Sequence, residues 1–328
     1  MAEGARGIPV VVMGLGTIGQ AIARAVLETP DLRIVGAVDP AHPGRPLAEV
    51  IGSPGPRLAV AAEPSKALAA ARGGVLLHAV TSDLEEAEPH IGQAVRAGVA
   101  VVSTCEELAY PWLSHPELAE RLDRLAESRD VAVLGVGVNP GFVLDRLPAF
   151  LSQVAGPVRH VRAERVVDAA LRRRQLLVRV GAGLAPAEFE GAAERGEVGH
   201  VGLSQSAALA ALGCGFEIDE VEETIEPVLA ERDVAAAIPV ARGRVAGARQ
   251  VVRGFAEGQE RVRLELTIAA GAAEPHDEVE LDARPPLRLR IPGGIPGDEA
   301  TAWAVVNAAA PATLLRGLVT VLDLPAGR

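Results

Sequence analysis

One stretch constrains this chain more than any other. Ile8 to Met13 is an apolar run, and it leads into Gly14-x-Gly16-x-x-Gly19. An Ala-rich helical pattern follows from Gln20 to Leu27, then a second apolar run, Leu32 to Val38, which ends on Asp39. Strand, glycine turn, helix and strand, with an acid about 20 residues past the glycines, form a βαβ unit suited to a dinucleotide. Gly14 permits the tight turn, Gly16 lets backbone approach a pyrophosphate, and Gly19 lets helix pack on strand. Phosphates are expected at the helix N-terminus, beside Thr17 and Ile18, where free N–H groups and the dipole favour negative charge. Asp39 is placed to accept hydrogen bonds from ribose hydroxyls.

The chain has 328 residues, enough for two domains and a sizeable core. Its net charge of −11 argues against nucleic acid or an anionic membrane as partner. Two cysteines, Cys105 and Cys214, make neither a disulfide framework nor a zinc site, so no metal and a reducing cytoplasm are expected. The N-terminus lacks a basic-then-apolar signal pattern. The long apolar segment Thr301–Leu322 contains Asn307, Pro311 and Arg316, and reads as a buried helix rather than a membrane span.

Short Val-rich runs alternate with helical patterns through the first part of the chain. Strands are predicted at Ile8–Met13, Leu32–Val38, Leu58–Ala61, Val75–Val80, Val99–Ser103 and Val131–Val136. Helices are predicted at Ser65–Ala71, Leu84–Ala97 and Pro116–Ser128. This alternation gives an α/β fold: a doubly wound parallel sheet, the Rossmann arrangement, over residues 1–140. A helix at Phe142–Gln153 is expected to bridge to a second, α+β domain over residues 141–297, with an open mixed sheet. Strand patterns there are His160–Val167, Leu176–Val180, Arg249–Ala256 and Arg261–Ala269; helical ones are Ala187–Arg195 and Val201–Leu212. A last helix, Asp298–Ala310, heads the segment 298–328, which is expected to pack back on the first domain.

Absences narrow the chemistry. The single tyrosine, Tyr110, is followed four residues on by Ser114, so a Tyr-x-x-x-Lys pair is excluded. The only lysine, Lys66, falls in the nucleotide domain. In such a fold the site lies outside the carboxyl ends of the strands. Strand residues Val101 to Ser103 and then Thr104 run into Cys105-Glu106-Glu107-Leu108, a thiol and two carboxylates at the start of a predicted helix. A helix N-terminus favours the ionised carboxylate, and burial favours the neutral one. A carboxylate between those influences can hold ammonium, take a proton from it and stabilise an iminium. Both glutamates also fit a local role in a first turn. Adjacent helical residues point about 100° apart, so one of the pair faces the cofactor. Cys105 offers a rival, a thiol nucleophile activated by a helix N-terminus, with His200 as its candidate base. A dinucleotide-sensing protein without catalysis is the third possibility.

The stretches Ser103–Leu108, Gly137–Phe142, Val167–Ala169, Gly199–Leu203 and Ile291–Asp298 together resemble the 2,4-diaminopentanoate dehydrogenases and the related native amine dehydrogenases, within the dihydrodipicolinate reductase fold group. The resemblance spans nearly the whole chain. It implies reversible NAD(P)-dependent oxidative deamination; in reverse, a small ketone or aldehyde and ammonia give a primary amine. It implies a catalytic glutamate at Glu106, with Glu107 as the alternative, and a homodimer built through the second domain's sheet. Cofactor contacts map to Gly14, Gly16, Thr17, Ile18, Gly19, Asp39, Arg45, Val80, Thr81, Ser103, Thr104 and Asn139. Substrate positions map to Phe142, Val143, Leu171, His200, Val201 and Thr301. Val143, Leu171 and Val201 are apolar, which favours small aliphatic or cyclic carbonyl compounds. A diamino acid needs a placed cation, and Arg162, Arg165 and Arg172–Arg174 are the candidates. Asp39 favours NAD, while Arg45 in the Pro-rich loop could neutralise the 2′-phosphate of NADP.

Overall fold

The computed structural model describes residues 7–327; residues 1–6, within the N-terminal domain bounded above, lie outside them. The chain separates into two compact units, one running to Phe142 and resuming at Pro296, the other covering Val143–Ile295.

The first unit opens with β1 (Ile8–Met13), α1 (Thr17–Leu27), β2 (Leu32–Val38), α2 (Leu47–Ile51), α3 (Ser65–Ala70), β3 (Val75–His78), α4 (Leu84–Arg96), β4 (Ala100–Ser103), α5 (Pro116–Ser128) and β5 (Ala132–Gly135). Val10, Val11, Val12, Leu76, Leu77, Val101, Val102 and Val133 are fully buried, as in strands of a parallel sheet covered on both faces. A β-carbon built on Gly36 would lie 2.6 Å from Ala67 Cβ, so α3 approaches β2 at a distance only glycine permits. Asp83 caps α4 by accepting from Glu86 N at 2.9 Å. The run Leu58–Ala61, expected as a strand, contributes only isolated bridges at Ala59 and Ala61. Its flanking prolines and glycines keep the chain out of a continuous ladder.

The second unit contains α6 (Arg146–Ser152), β6 (His160–Asp168), α7 (Arg174–Arg179), α8 (Pro186–Glu194), α9 (Leu203–Gly213), β7 (Glu220–Leu229), β8 (Val245–Ala256), β9 (Gln259–Ala269), β10 (His276–Asp282) and β11 (Leu287–Pro292). The strands form a mixed sheet in the order β11-β10-β6-β9-β8-β7, with β6 and β9 parallel and the other pairs antiparallel. Helices α6 and α9 pack on one face. The opposite face carries alternating Arg and Glu in register across the sheet: Arg162 reaches Glu265, Arg249 reaches Glu226 and Glu265, and Arg288 reaches Glu278 and Glu280.

Two expectations are corrected here, and three strands are added. Leu176–Val180 lies in and just after helix α7, not in a strand; a short apolar run does not separate the two. The bridging helix begins at Arg146 instead of Phe142, where the Asp145 carboxylate accepts from Arg146 N. Strands β7 and β11 carry Glu and Arg at exposed positions, and β10 buries His276, Asp277 and Glu278, so none of the three reads as an unbroken apolar run.

Past Ile295 the chain re-enters the first unit as α10 (Gly297–Ala312) and β12 (Gly317–Leu318). Helix α10 packs on α1 and β4, and β12 extends the first sheet beside β5. That sheet runs β2-β1-β3-β4-β5-β12, all parallel. Its order reverses direction between β1 and β3, the switch point where ligands of doubly wound sheets bind. Among the described residues no helix is long and apolar enough to cross a membrane.

Candidate active site

Three turns gather at the carboxyl ends of β1, β3 and β4. In the first, a β-carbon on Gly14 (φ +83°) would lie 2.4 Å from Ala79 O, and one on Gly19 would lie 1.7 Å from Gly14 O. Both positions are closed to any side chain. A β-carbon on Gly16 meets nothing within 4 Å, so this glycine leaves open space at the first turn of α1, next to Thr17 and Ile18. Asp39 anchors the turn from β2: Oδ2 accepts from Leu15 N at 2.6 Å and Oδ1 from Ala41 N at 2.8 Å. Each carboxylate oxygen keeps a second acceptor site. The open cradle at a helix N-terminus, with an acid fixed beside it, fits the diphosphate and ribose of a dinucleotide.

The second turn holds Val80, 47% exposed, with its Cγ2 3.1 Å from the β-carbon position of Gly14. The Thr81 hydroxyl donates to Glu86 Oε2 at 2.7 Å and accepts from Asp83 N at 3.2 Å. Arg45 is exposed in the loop after β2.

The third turn carries the carboxylates. His78 and Ser103 face each other across β3 and β4, both fully buried, with Nδ1 2.8 Å from Oγ. Ser103 Oγ also accepts from Cys105 N at 3.0 Å, and Thr104 N donates to His78 O at 2.9 Å. The Cys105 thiol donates to Ser82 O at 3.1 Å, and burial pushes its pKa up to about 12. A buried thiol held in its neutral form and donating to Ser82 O is a poor nucleophile at neutral pH, which counts against the thiol-dependent reading. The predicted helix here is a 3₁₀ turn, Glu107–Ala109, too short to build a helix dipole of consequence. Glu107 Oε2 accepts from Leu84 N at 2.8 Å and lies 3.1 Å from His115 Nε2. It therefore ties the start of α4 to the turn. Half-buried Glu106 stands between Cys105 and Glu107, both of which are fixed from outside the turn.

Other sequence candidates fall into place within each unit. In the first, the loop Gly137–Gly141 that carries Asn139 lies beside α10; a β-carbon on Gly137 would be 4.0 Å from Thr301 Cγ2. Phe142 closes that unit and Val143, fully buried, opens the second. Leu171 is 97% exposed in the loop after β6. The backbone of His200, next to Val201, is gripped at both ends by Gln250: Oε1 accepts from His200 N at 2.8 Å and Nε2 donates to His200 O at 2.9 Å. Gln250 Nε2 also donates to Glu223, whose other oxygen accepts from Ser204 Oγ. Arg165, 4% exposed, donates from one nitrogen to both Asp277 oxygens at 2.8 Å and from another to Ile295 O at 2.7 Å. Sequence reasoning passed over His78 and Gln250. Each interrupts an otherwise apolar strand position, and that interruption was the available signal.

Residues 142–328 match the family described as the 2,4-diaminopentanoate dehydrogenase C-terminal domain. The chain is 27% identical to a 2,4-diaminopentanoate dehydrogenase of Acetoanaerobium sticklandii, over 98% of its own length and 94% of the relative's. It is 26% identical to an amine dehydrogenase of Streptomyces virginiae, over 97% and 96% of the two chains. The solved structure of an amine dehydrogenase from Mycobacterium smegmatis shares the fold, with a TM-score of 0.85 at 23% identity, covering 98% of this chain and 97% of the other.

Proposed function

The chain belongs to the 2,4-diaminopentanoate dehydrogenase family, and from that premise we propose that it is an NAD(P)-dependent amine dehydrogenase that interconverts small ketones or aldehydes plus ammonia with primary amines. The observation that carries this reading is the placing of Glu106. It is a half-buried carboxylate at a strand end, on a turn fixed at Ser103 and at Glu107. Bound nicotinamide would supply the hydride acceptor or donor. Glu106 then holds ammonium and takes a proton from it, so that ammonia attacks the carbonyl carbon; it returns the proton to the carbinolamine hydroxyl, which leaves as water, and the carboxylate stabilises the positive iminium. Gly14, Gly16, Gly19 and the first turn of α1 hold the diphosphate. Asp39 holds the adenosine ribose and favours NAD. Val80, Thr81, Thr104 and Asn139 complete the cofactor surface; Ser103, expected among these contacts, is fully buried against His78.

Phe142 and Thr301 of the first unit, and Leu171, His200 and Val201 of the second, are the proposed substrate residues; Val143, expected with them, is fully buried. Two arginines that a carboxylate-bearing substrate would need are committed elsewhere: Arg165 to Asp277 and Ile295, and Arg162 to the glutamates of the charged sheet face. This supports a simple amine over a diamino acid. The name of the Acetoanaerobium relative and the run Arg172–Arg174 beside Leu171 support 2,4-diaminopentanoate as the second reading. The Arg/Glu face of the second sheet is self-complementary in charge, which supports a homodimer formed through it. Two free cysteines support a reducing, cytoplasmic setting.

NADH oxidation with cyclohexanone or a short aliphatic ketone, with and without high ammonium at alkaline pH, tests the proposal. Ammonium-dependent consumption with amine formed is the expected result. Deamination of 2,4-diaminopentanoate with NAD, and no turnover of the simple ketones, would replace it with the second reading. Cofactor binding without turnover of either would favour a sensor.

A further inference from the structure

His78 is a fully buried imidazole that the proposed chemistry does not use. It ends β3 directly opposite Ser103 at the end of β4. The hydrogen bonds around it have one consistent direction. Cys105 N–H donates to Ser103 Oγ, so the Ser103 hydroxyl proton is available to His78 Nδ1, 2.8 Å away. His78 Nδ1 is then an acceptor, and the ring proton sits on Nε2, which faces His90 Nδ1 at 3.4 Å. Burial holds the ring neutral, its pKa lowered to about 3, so this tautomer persists across the working pH range.

We propose that His78 is a positioning residue, which orients the Ser103 hydroxyl so that its oxygen fixes the Cys105 amide and with it the turn that carries Glu106. The proposal rests on reading Glu106 as the catalytic carboxylate. A protonated His78 would donate from Nδ1 and so remove the acceptor that holds the Ser103 hydroxyl proton. An apolar residue would leave the hydroxyl without its acceptor. Glu107 is fixed independently, by Leu84 N and His115, so loss of the His78 link loosens one side of Glu106, which keeps only the Thr104 N to His78 O and Cys105 Sγ to Ser82 O bonds, and leaves the other anchored.

The test compares His78→Leu, which removes the acceptor, with His78→Asn, whose side-chain oxygen can stand where Nδ1 stood. Ammonium-dependent turnover, the NADH dissociation constant and backbone hydrogen exchange over residues 103–108 are read on the full-length enzyme. His78→Leu is expected to lower kcat roughly 10–100-fold, as small misplacements of a catalytic group do, with NADH affinity unchanged. Exchange should quicken over 103–108 and not across the rest of the first unit. His78→Asn should restore both readouts. Ser103→Ala, a smaller change that keeps the core filled if His78→Leu fails to fold, should reproduce the loss.

Wild-type turnover and exchange in His78→Leu overturn the positioning role. So does a His78→Asn variant as impaired as His78→Leu, because the ring would then matter for packing alone. Glu106→Gln, measured alongside, separates the two possible failures. Full turnover in Glu106→Gln removes the catalytic reading and this proposal with it. An inactive Glu106→Gln beside a fully active His78→Leu removes only the positioning role.

Discussion

The backbone amide of Leu84 donates to Glu107 Oε2 at 2.8 Å, joining the first residue of α4 to the turn after β4. The same oxygen lies 3.1 Å from His115 Nε2. This divides the labour of the two adjacent glutamates. Glu107→Ala should destabilise the first unit by about 1–3 kcal/mol, the usual effect of removing a charged partner from a part-buried amide. The folded enzyme should keep turnover within roughly tenfold of wild type. Glu106→Ala should abolish ammonium-dependent turnover with NADH binding intact. Thermal unfolding and steady-state kinetics on both variants check this. A Glu107→Ala enzyme that is stable and inactive would reverse the assignment.

The first unit was legible because its signals are local. Strand, glycines, helix and acid follow one another within Ile8–Asp39, and buried parallel strands read as unbroken apolar runs. The carboxylate turn was legible by position, since it follows a strand that must end at the ligand-binding edge. The split between Glu106 and Glu107 was not, because it depends on Leu84 N and His115, which only the packing of α4 and α5 brings near. The second sheet hid for a different reason. Strands such as β7 and β11 alternate apolar residues with Glu and Arg whose partners are cross-strand, and a single chain segment does not display such pairing. Gln250 and Arg165 were invisible as clamps because their partners lie 50 and 112 residues away.

Asp39 has two roles that can be separated. Its oxygens hold Leu15 N and Ala41 N, and its charge opposes a 2′-phosphate. Asp39→Asn keeps an acceptor oxygen and loses the charge. Its NH2 group meets one of the two amides, Leu15 N or Ala41 N, so NADH binding should weaken, while NADPH binding should improve relative to NADH, since removing a like charge near a phosphate lowers the repulsion. Asp39→Ala should weaken both cofactors through the glycine turn, and NADH more. Equal KM changes for the two cofactors in Asp39→Asn would show that this carboxylate sets no preference.

Cys105 is 1% exposed, and its thiol is pushed up to about 12. It should resist iodoacetamide at pH 8 in the folded enzyme and react once the chain is unfolded. Cys105→Ala should retain turnover within roughly threefold, because the thiol supplies one hydrogen bond to Ser82 O and apolar packing. Rapid alkylation of the native protein, with loss of activity that follows the label, would return the thiol to the reaction.

His78 makes the stability of the first unit depend on pH in a definite direction. Its pKa is about 6.5 unfolded and about 3 folded, because burial and the neighbouring His90 both oppose a charged ring. Above pH 6.5 neither state binds the extra proton and the full stability is present. As pH falls below 6.5 the unfolded chain takes up a proton that the folded chain refuses, so stability is lost progressively down to about pH 3. Each pH unit within that window costs about 1.4 kcal/mol. Carboxylates such as Glu265, which the Arg249 and Arg263 guanidiniums hold below the usual range despite burial, add their own loss at the acid end of the window. The contribution of His78 is isolated by difference. His78→Asn cannot titrate there, so its melting temperature should fall less steeply than wild type between pH 6.5 and pH 4.5, above the range where most carboxylates titrate. Parallel curves for the two proteins over that interval would mean that His78 takes up its proton in the folded state as readily as in the unfolded one.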